Sequence, residues 1–277
     1  MGGHGPDWDL WTAGAAGYEA LVSPITRQAI EPVLGTLGPL ARCELVDIAC
    51  GPGHLLAVAR ARGARVTGVD LSPAMLALAR DRAEGPILVE GDASVLPFTG
   101  STFHAATSTF AFEHVGEAFV VLREAARVLR PGGAFAFAVW LGGCAGHDLA
   151  RIVARAFWKH GTVADPSPPV VHPLAGSETA RRALLAAGFH RPEARSGVAV
   201  SRHPDGWSVL DVMERAMPAA ARAIDGQPSS VKRQIRRSIA TEADALRVGA
   251  SVVLNWPFVV VRARKREATD RGGDAAR

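Results

Sequence analysis

Between residues 40 and 140, short apolar runs alternate with stretches of helical periodicity, and this alternation constrains the fold more than any other feature of the chain. Residues 44–49 suit a buried strand. They lead through Cys50-Gly51-Pro52-Gly53 into a helical segment over 55–62, and then into a second strand over 65–70. Ser72 and Pro73 stand at the N-cap and first helical position of a helix reaching Arg82. A third strand at 87–90, a fourth at 105–110 and an amphipathic helix at 117–129 follow. Pro131-Gly132-Gly133 then turns the chain into a fifth strand at 134–140. Crossovers this regular predict an α/β fold with a parallel, right-handed, doubly wound sheet.

The flanks differ. Residues 7–40 read as helical and carry Trp8, Trp11 and Tyr18 ahead of the first strand. After Trp140 come a glycine-rich break, a helix over 149–159, a proline-rich loop over 165–173 and a helix over 177–187 stopped by Gly188. A strand at 193–200, helices at 207–217 and 231–246, and a long final strand at 251–264 complete the pattern. Residues 266–277 are expected to be disordered.

Composition narrows the function classes. Of the 277 residues 48% are hydrophobic, enough to bury a sizeable core and to exclude a wholly disordered chain. No run approaches the ~20 apolar residues of a membrane span, and residues 1–9 show no basic segment followed by an apolar core, the mark of a secretory signal. The three cysteines, Cys43, Cys50 and Cys144, form no Cys-x-x-Cys pair. The nine histidines show no metal-ligand spacing. A soluble, cytoplasmic protein without metal or membrane partner is expected. The net charge of +4 does not point to nucleic acid, because from Arg262 onward six basic residues face three acidic ones, so most of the excess lies at the C-terminus. The run Lys232, Arg233, Arg236 and Arg237 lies opposite Val231, Ile235 and Ile239 on a helix, which makes it a solvated face.

The informative segment is Val46-Asp47-Ile48-Ala49-Cys50-Gly51-Pro52-Gly53-His54. Its glycines allow close approach to a ligand, and the helix that follows offers free N–H groups to an anion. A dinucleotide fingerprint fails in both frames, with Leu56 or His54 at the third glycine position, and no Gly-Lys-Ser/Thr follows to cradle phosphates. Asp70, closing the second strand, is placed to accept hydrogen bonds from ribose hydroxyls. Gly91-Asp92-Ala93 sets a second acceptor where an adenine amino group could meet it. Ribose, adenine, a small anionic end and no phosphate together describe S-adenosylmethionine.

Residues 45–140 resemble the class I S-adenosylmethionine-dependent methyltransferases, in particular the small-molecule, ubiquinone/menaquinone-biosynthesis-like branch (methyltransferase type 11). Asp47, Ala49, Gly51 and Gly53 meet the family's glycine-rich pattern. Asp70 with Leu71-Ser72-Pro73-Ala74-Met75, the Gly91-Asp92-Ala93 element and the Leu-Arg-Pro-Gly-Gly turn at 129–133 follow in order. Phe103-His104 departs from the family's Phe-Asp at the fourth strand, and His104 is not a catalytic candidate on that account. The resemblance implies a seven-stranded, mostly parallel sheet, and a cofactor held by Tyr18, Asp47, Ala49, Gly51, Gly53, Asp70, Leu71, Met75, Asp92, Ala93 and Thr109. Met75 equally suits a helix core, and a turn cap is the alternative for Asp92. It also implies a helical lid over 1–40, a cofactor-binding core over 41–142, and acceptor-capping segments with the last strands over 143–265. Phe157, Trp158, Trp207 and Met213 fall in those capping segments and together suggest an apolar acceptor, whereas each singly better suits core packing. His114, in Phe110-Ala111-Phe112-Glu113-His114, is the candidate base if the acceptor must lose a proton, the alternative being a histidine held in the fold by a hydrogen bond. The expected activity is methyl transfer to a small, fairly apolar metabolite, on oxygen first and otherwise on carbon or nitrogen. The alternatives are a non-catalytic sensor or partner subunit binding S-adenosylmethionine or S-adenosylhomocysteine, and a nucleic-acid methyltransferase.

Overall fold

The computed structural model describes residues 8–82, 85–141, 148–161 and 172–267. Cys144, most of the glycine-rich break, the proline-rich loop up to residue 171 and the tail from residue 268 lie outside the described residues.

The chain opens with helices α1 (Trp8–Leu21), α2 (Ser23–Thr26) and α3 (Ile30–Gly35), where the sequence suggested one helical region. The alternating core follows as β1 (Glu44–Ile48), α4 (His54–Ala61), β2 (Arg65–Asp70), α5 (Pro73–Arg82), β3 (Ile87–Glu90), β4 (Phe103–Thr109), α6 (Ala118–Val128) and β5 (Leu129–Trp140). Then come α7 (Asp148–His160), α8 (Ser177–Ala186), β6 (Phe189–His203), α9 (Gly206–Ala216), α10 (Pro218–Asp225), α11 (Ser229–Asp244), β7 (Arg247–Val248) and β8 (Ser251–Lys265). Strand order is β3-β2-β1-β4-β5-β8-β6, with the two-residue β7 paired to β8 as an eighth strand. The first five strands pair in parallel, and β8 runs antiparallel between β5 and β6.

Period-two alternation assigns the faces of the sheet. Leu45, Ala134, Ala136, Ala138, Phe258 and Val260 point to the side packed by α3, α4, α7, α9 and α11. Val46, Phe135, Phe137, Val139, Val259 and Val261 point to the side covered by α6 and α8. On α11, Ile235 and Ile239 are fully buried, while Lys232 pairs with Asp225 and Arg236 with Glu214, so the basic run is a surface face as expected.

Three differences from the sequence pattern have identifiable physical causes. Residues 131–133 are not a separate turn: β5 begins at Leu129, which pairs with Phe103, and a register shift with Gly132 at φ +74° absorbs the irregularity as a bulge. Strand β6 is 15 residues long because β8 pairs alongside it from Phe189 to His203, and a propensity scan does not see that partner. Helix α10, opened by Pro218, has too short a pattern to declare itself. His104 lies at the start of β4, with Nδ1 3.1 Å from the Glu44 amide and Nε2 2.8 Å from Arg130, so it ties strand starts together.

Of the four candidate capping side chains, two take the core place weighed for each singly and two are exposed. Phe157 and Met213 are buried in the core between α7, α9, α11 and the sheet, while Trp158 and Trp207 stand out in solvent at 89% and 56% exposure. None of the four lines the cavity described below. The helices α7, α9 and α11 pack on one another and on the sheet face, so their apolar stripes are used in the core.

Candidate active site

The strand order reverses at β1, so the chain leaves the C-terminal ends of β1 and β4 in opposite directions and a crevice opens between them. A cavity of about 420 Å³ occupies it. Ala49 and Gly51 enter its wall from the end of β1, Asp70 and Leu71 from β2, and Asp92 and Ala93 from the loop after β3. Thr109 and Phe110 enter from β4. Two residues other than glycine, Ala49 (φ +56°) and Phe110 (φ +55°), take left-handed backbone at these strand ends. Such conformations cost about 1–3 kcal/mol and persist where surroundings enforce them. For Phe110 the enforcement is visible: its N–H donates to the Ala138 carbonyl at 2.8 Å, and its ring stacks on Trp140 at 3.7 Å.

Asp70 Oδ2 accepts from the Gly51 amide at 2.7 Å, and Oδ1 accepts from the Ser72 amide at 2.9 Å. Burial pushes its carboxyl above the usual range, opposed by the amides of Ser72, Gly51 and Leu71. Ser72 caps α5 as the sequence predicts, taking the Met75 amide on its hydroxyl at 3.3 Å. Met75 itself is buried in α5 and also lines the cavity. Asp92 Oδ1 accepts from the Ser94 amide and hydroxyl, each at 2.7 Å, and the residue forms part of the wall.

Asp47 and Gly53 do not line the cavity. Asp47 is buried one layer below, with Oδ1 accepting from the Thr107 hydroxyl at 2.7 Å and Oδ2 without a hydrogen-bond partner among the described residues. Burial pushes its carboxyl up to about 7. Gly53, at φ +77°, is the N-cap of α4, and a Cβ there would lie 2.8 Å from the Cβ of Ala79. Its role is to let α4 approach α5.

From the N-terminal side α1 contributes Trp11 and Tyr18. The Trp11 ring stands 5.5 Å from Tyr18 and 4.6 Å from His114, which ends a short 3₁₀ turn and also lines the cavity. Burial pushes the Tyr18 hydroxyl up to about 12, a rise its hydrogen bond with Thr26 only partly offsets, so it remains protonated. The preceding Glu113 accepts the Trp140 amide at 2.9 Å, and burial pushes its carboxyl up to about 7.

A smaller recess of about 40 Å³ adjoins the first, sharing Tyr18, Ala49, Gly51 and Thr109 and adding Thr26, Arg27 and His54. Sequence reasoning missed Thr26 and Arg27, because they lie in a region legible only as helix and at no fixed spacing from the glycine turn. The charge distribution discriminates among ligands. Asp70, Asp92 and Glu117 line the larger cavity, and no Lys or Arg does so among the described residues. A phosphate there would meet three carboxylates and no cation. A neutral nucleoside with donor hydroxyl and amino groups fits, and a single anionic end fits the smaller recess beside Arg27 and the N-terminus of α4. The residues therefore suit S-adenosylmethionine. Among the described residues, no cluster of three or more potential metal ligands occurs.

Residues 46–137 match the family described as "Methyltransferase domain". A demethylmenaquinone methyltransferase of Corynebacterium kroppenstedtii is 38% identical over 130 residues, covering 47% of this chain and 53% of that protein. A malonyl-[acyl-carrier protein] O-methyltransferase of Pseudescherichia vulneris is 34% identical over 113 residues, covering 41% and 45%. The chain thus spans about half the length of these relatives. The crystal structure of a putative methyltransferase from Bacillus halodurans shares the fold with a TM-score of 0.58 at 18% identity, covering 86% of this chain and 99% of that one. Over residues 46–137 the chain is therefore similar to methyltransferase domains, and it shares the fold of a solved methyltransferase-like protein.

Proposed function

We propose that the protein transfers the methyl group of S-adenosylmethionine to a small, fairly apolar acceptor, with oxygen the first candidate atom and carbon or nitrogen the next. The observation that carries this reading is the ring made by the glycine turn, Asp70 and Asp92 around a cavity lined by carboxylates and, among the described residues, by no Lys or Arg. When bound, the cofactor supplies an electrophilic sulfonium methyl group. The protein's task is then to orient donor and acceptor and to exclude water.

Asp70 is suited to accept ribose hydroxyls and Asp92 an adenine amino group, with Leu71, Met75 and Ala93 as apolar neighbours. Ala49, Gly51, Tyr18, Thr109 and Arg27 surround the place for the amino-acid end. Asp47 and Gly53 support the turn from beneath. His114, packed against Trp11, is the group available to take a proton from a hydroxyl or enol acceptor. The helices over residues 8–40 act as a lid, a role supported by the contribution of Trp11 and Tyr18 to the wall and by the contact between the Thr12 and Ser72 hydroxyls at 3.2 Å.

The enzyme is read as cytoplasmic and as acting on free small molecules. Supporting this are the free thiols of Cys43 and Cys50, the paired charges on α11, and the lack, among the described residues, of any helix long and apolar enough to cross a membrane. Calorimetry with S-adenosylmethionine and S-adenosylhomocysteine tests donor binding, and a product assay against a metabolite extract tests transfer. Binding without any transfer would identify a sensor instead. Tight binding to nucleic acid that weakens steeply with salt would overturn the choice of acceptor class.

A further inference from the structure

Four elements meet at one side chain that touches neither cavity. Glu19, on α1, places Oε2 3.0 Å from His54 Nε2 and accepts the Ser23 hydroxyl on the same oxygen at 2.9 Å. Its Oε1 accepts from Arg82 Nη2 at 2.6 Å. Arg82, the last residue of α5, uses Nε to donate to the Pro52 carbonyl at 2.7 Å. Burial alone would push the Glu19 carboxyl up, but the hydrogen bonds from Ser23, Arg82 and His54 outweigh it and hold the group below the usual carboxylate range. The cluster is sheltered rather than sealed, with side chains 28% (Glu19), 24% (Arg82) and 18% (His54) exposed.

We propose that Glu19 and Arg82 are positioning residues of the donor site, which hold the Pro52 carbonyl and His54 so that the glycine turn and the first turn of α4 keep the shape that receives the ligand's anionic end. The inference rests on the donor-site reading above. Its physical basis is the turn itself. Gly51 and Gly53 both take positive φ, and glycine has more conformations to lose than any other residue. Proline at 52 has no N–H with which to anchor the turn. The Gly53 amide closes on the Cys50 carbonyl, and the Gly53 carbonyl accepts the first helical bond from Ala57, at 3.1 Å each. The Pro52 carbonyl falls between these two bonds and is met from outside by Arg82. Without that tie, binding would have to order the turn and would lose the corresponding affinity. Arginine suits the position because its rigid fork presents Nε to the carbonyl and Nη2 to the carboxylate in one fixed plane, whereas lysine offers one nitrogen on a flexible stem. Glu19 then couples the turn to α1, the helix that brings Tyr18 to both cavities.

The test uses the full chain and S-adenosylhomocysteine as probe, with Glu19→Gln, Arg82→Lys and the double variant. Expected are a dissociation constant at least about tenfold weaker in each single variant, carried mostly by a faster off-rate, and no further loss in the double variant, because the residues act as one unit. Thermal melts close to wild type would accompany these losses. Hydrogen exchange on the wild type gives a readout that needs no variant: the probe should slow exchange in residues 11–21 together with 51–57. Wild-type affinity in both single variants, fully additive losses, or protection confined to 51–57 would each overturn the proposal. A wild-type chain that does not bind the probe at all would instead overturn the donor site itself, and the positioning role with it.

Discussion

The Asp70 carboxylate accepts the Gly51 amide proton at 2.7 Å, and this one hydrogen bond ties the end of β2 to the turn that leaves β1. Its other oxygen holds Ser72, so a single side chain shapes both the turn and the start of α5. Asn at this position has one acceptor oxygen for two amides. Asp70→Asn is therefore expected to weaken S-adenosylhomocysteine binding by roughly 10–100-fold, the scale of one charged hydrogen bond. Calorimetry checks it, and an affinity within twofold or so of wild type would remove Asp70 from the donor site.

Gly53→Ala places a methyl group against Ala79 in a left-handed backbone position. A loss of about 2 kcal/mol in urea unfolding is expected, from strain and from separation of α4 and α5. A neutral effect would mean that the two helices are free to part.

Asp47 and Glu113 both have folded-state values raised to about 7 from ordinary carboxylate values near 4. Between those limits the folded protein binds more protons than the unfolded chain. Their contribution to stability is thus complete at low pH and is lost as the pH rises through about 7. Urea midpoints should fall from pH 5 to pH 8, and Asp47→Asn or Glu113→Gln should flatten that slope. A midpoint that climbs over the same range would refute the assignment.

His114→Ala separates proton transfer from binding. If His114 takes the acceptor's proton, turnover drops by about 10²–10⁴ while S-adenosylhomocysteine affinity stays within about twofold. Equal loss of both would reduce His114 to a partner for the Trp11 ring.

Trp158→Ala and Trp207→Ala remove large aromatic surfaces that lie in solvent, away from the cavity. Each should leave the acceptor KM unchanged and stability within about 0.5 kcal/mol. A raised acceptor KM in either variant would return these helices to the acceptor site.

The alternation of strand and helix between β1 and β5 was readable because each apolar run is bounded by its own turn residues and meets neighbours close in sequence. The same holds for Ala49, Gly51, Asp70, Asp92 and Thr109, which sit at strand ends whose position the pattern fixes. Beyond β5 the signal weakens. Strand β6 gains its length from β8, some fifty residues later, and Phe157 and Met213 look the same in sequence whether they face a cavity or a core.

The one-dimensional pattern therefore determined the sheet, its direction and the ring of strand-end residues, since period-two and 3.6-residue repeats are local properties of the backbone. Only the tertiary structure decided that Asp47 and Gly53 stand beneath the cavity and not in its wall, that Thr26 and Arg27 line the recess beside it, and that Glu19 reaches Arg82 across 63 residues. These are distances between segments that the chain brings together by packing, and no spacing rule within a segment encodes them.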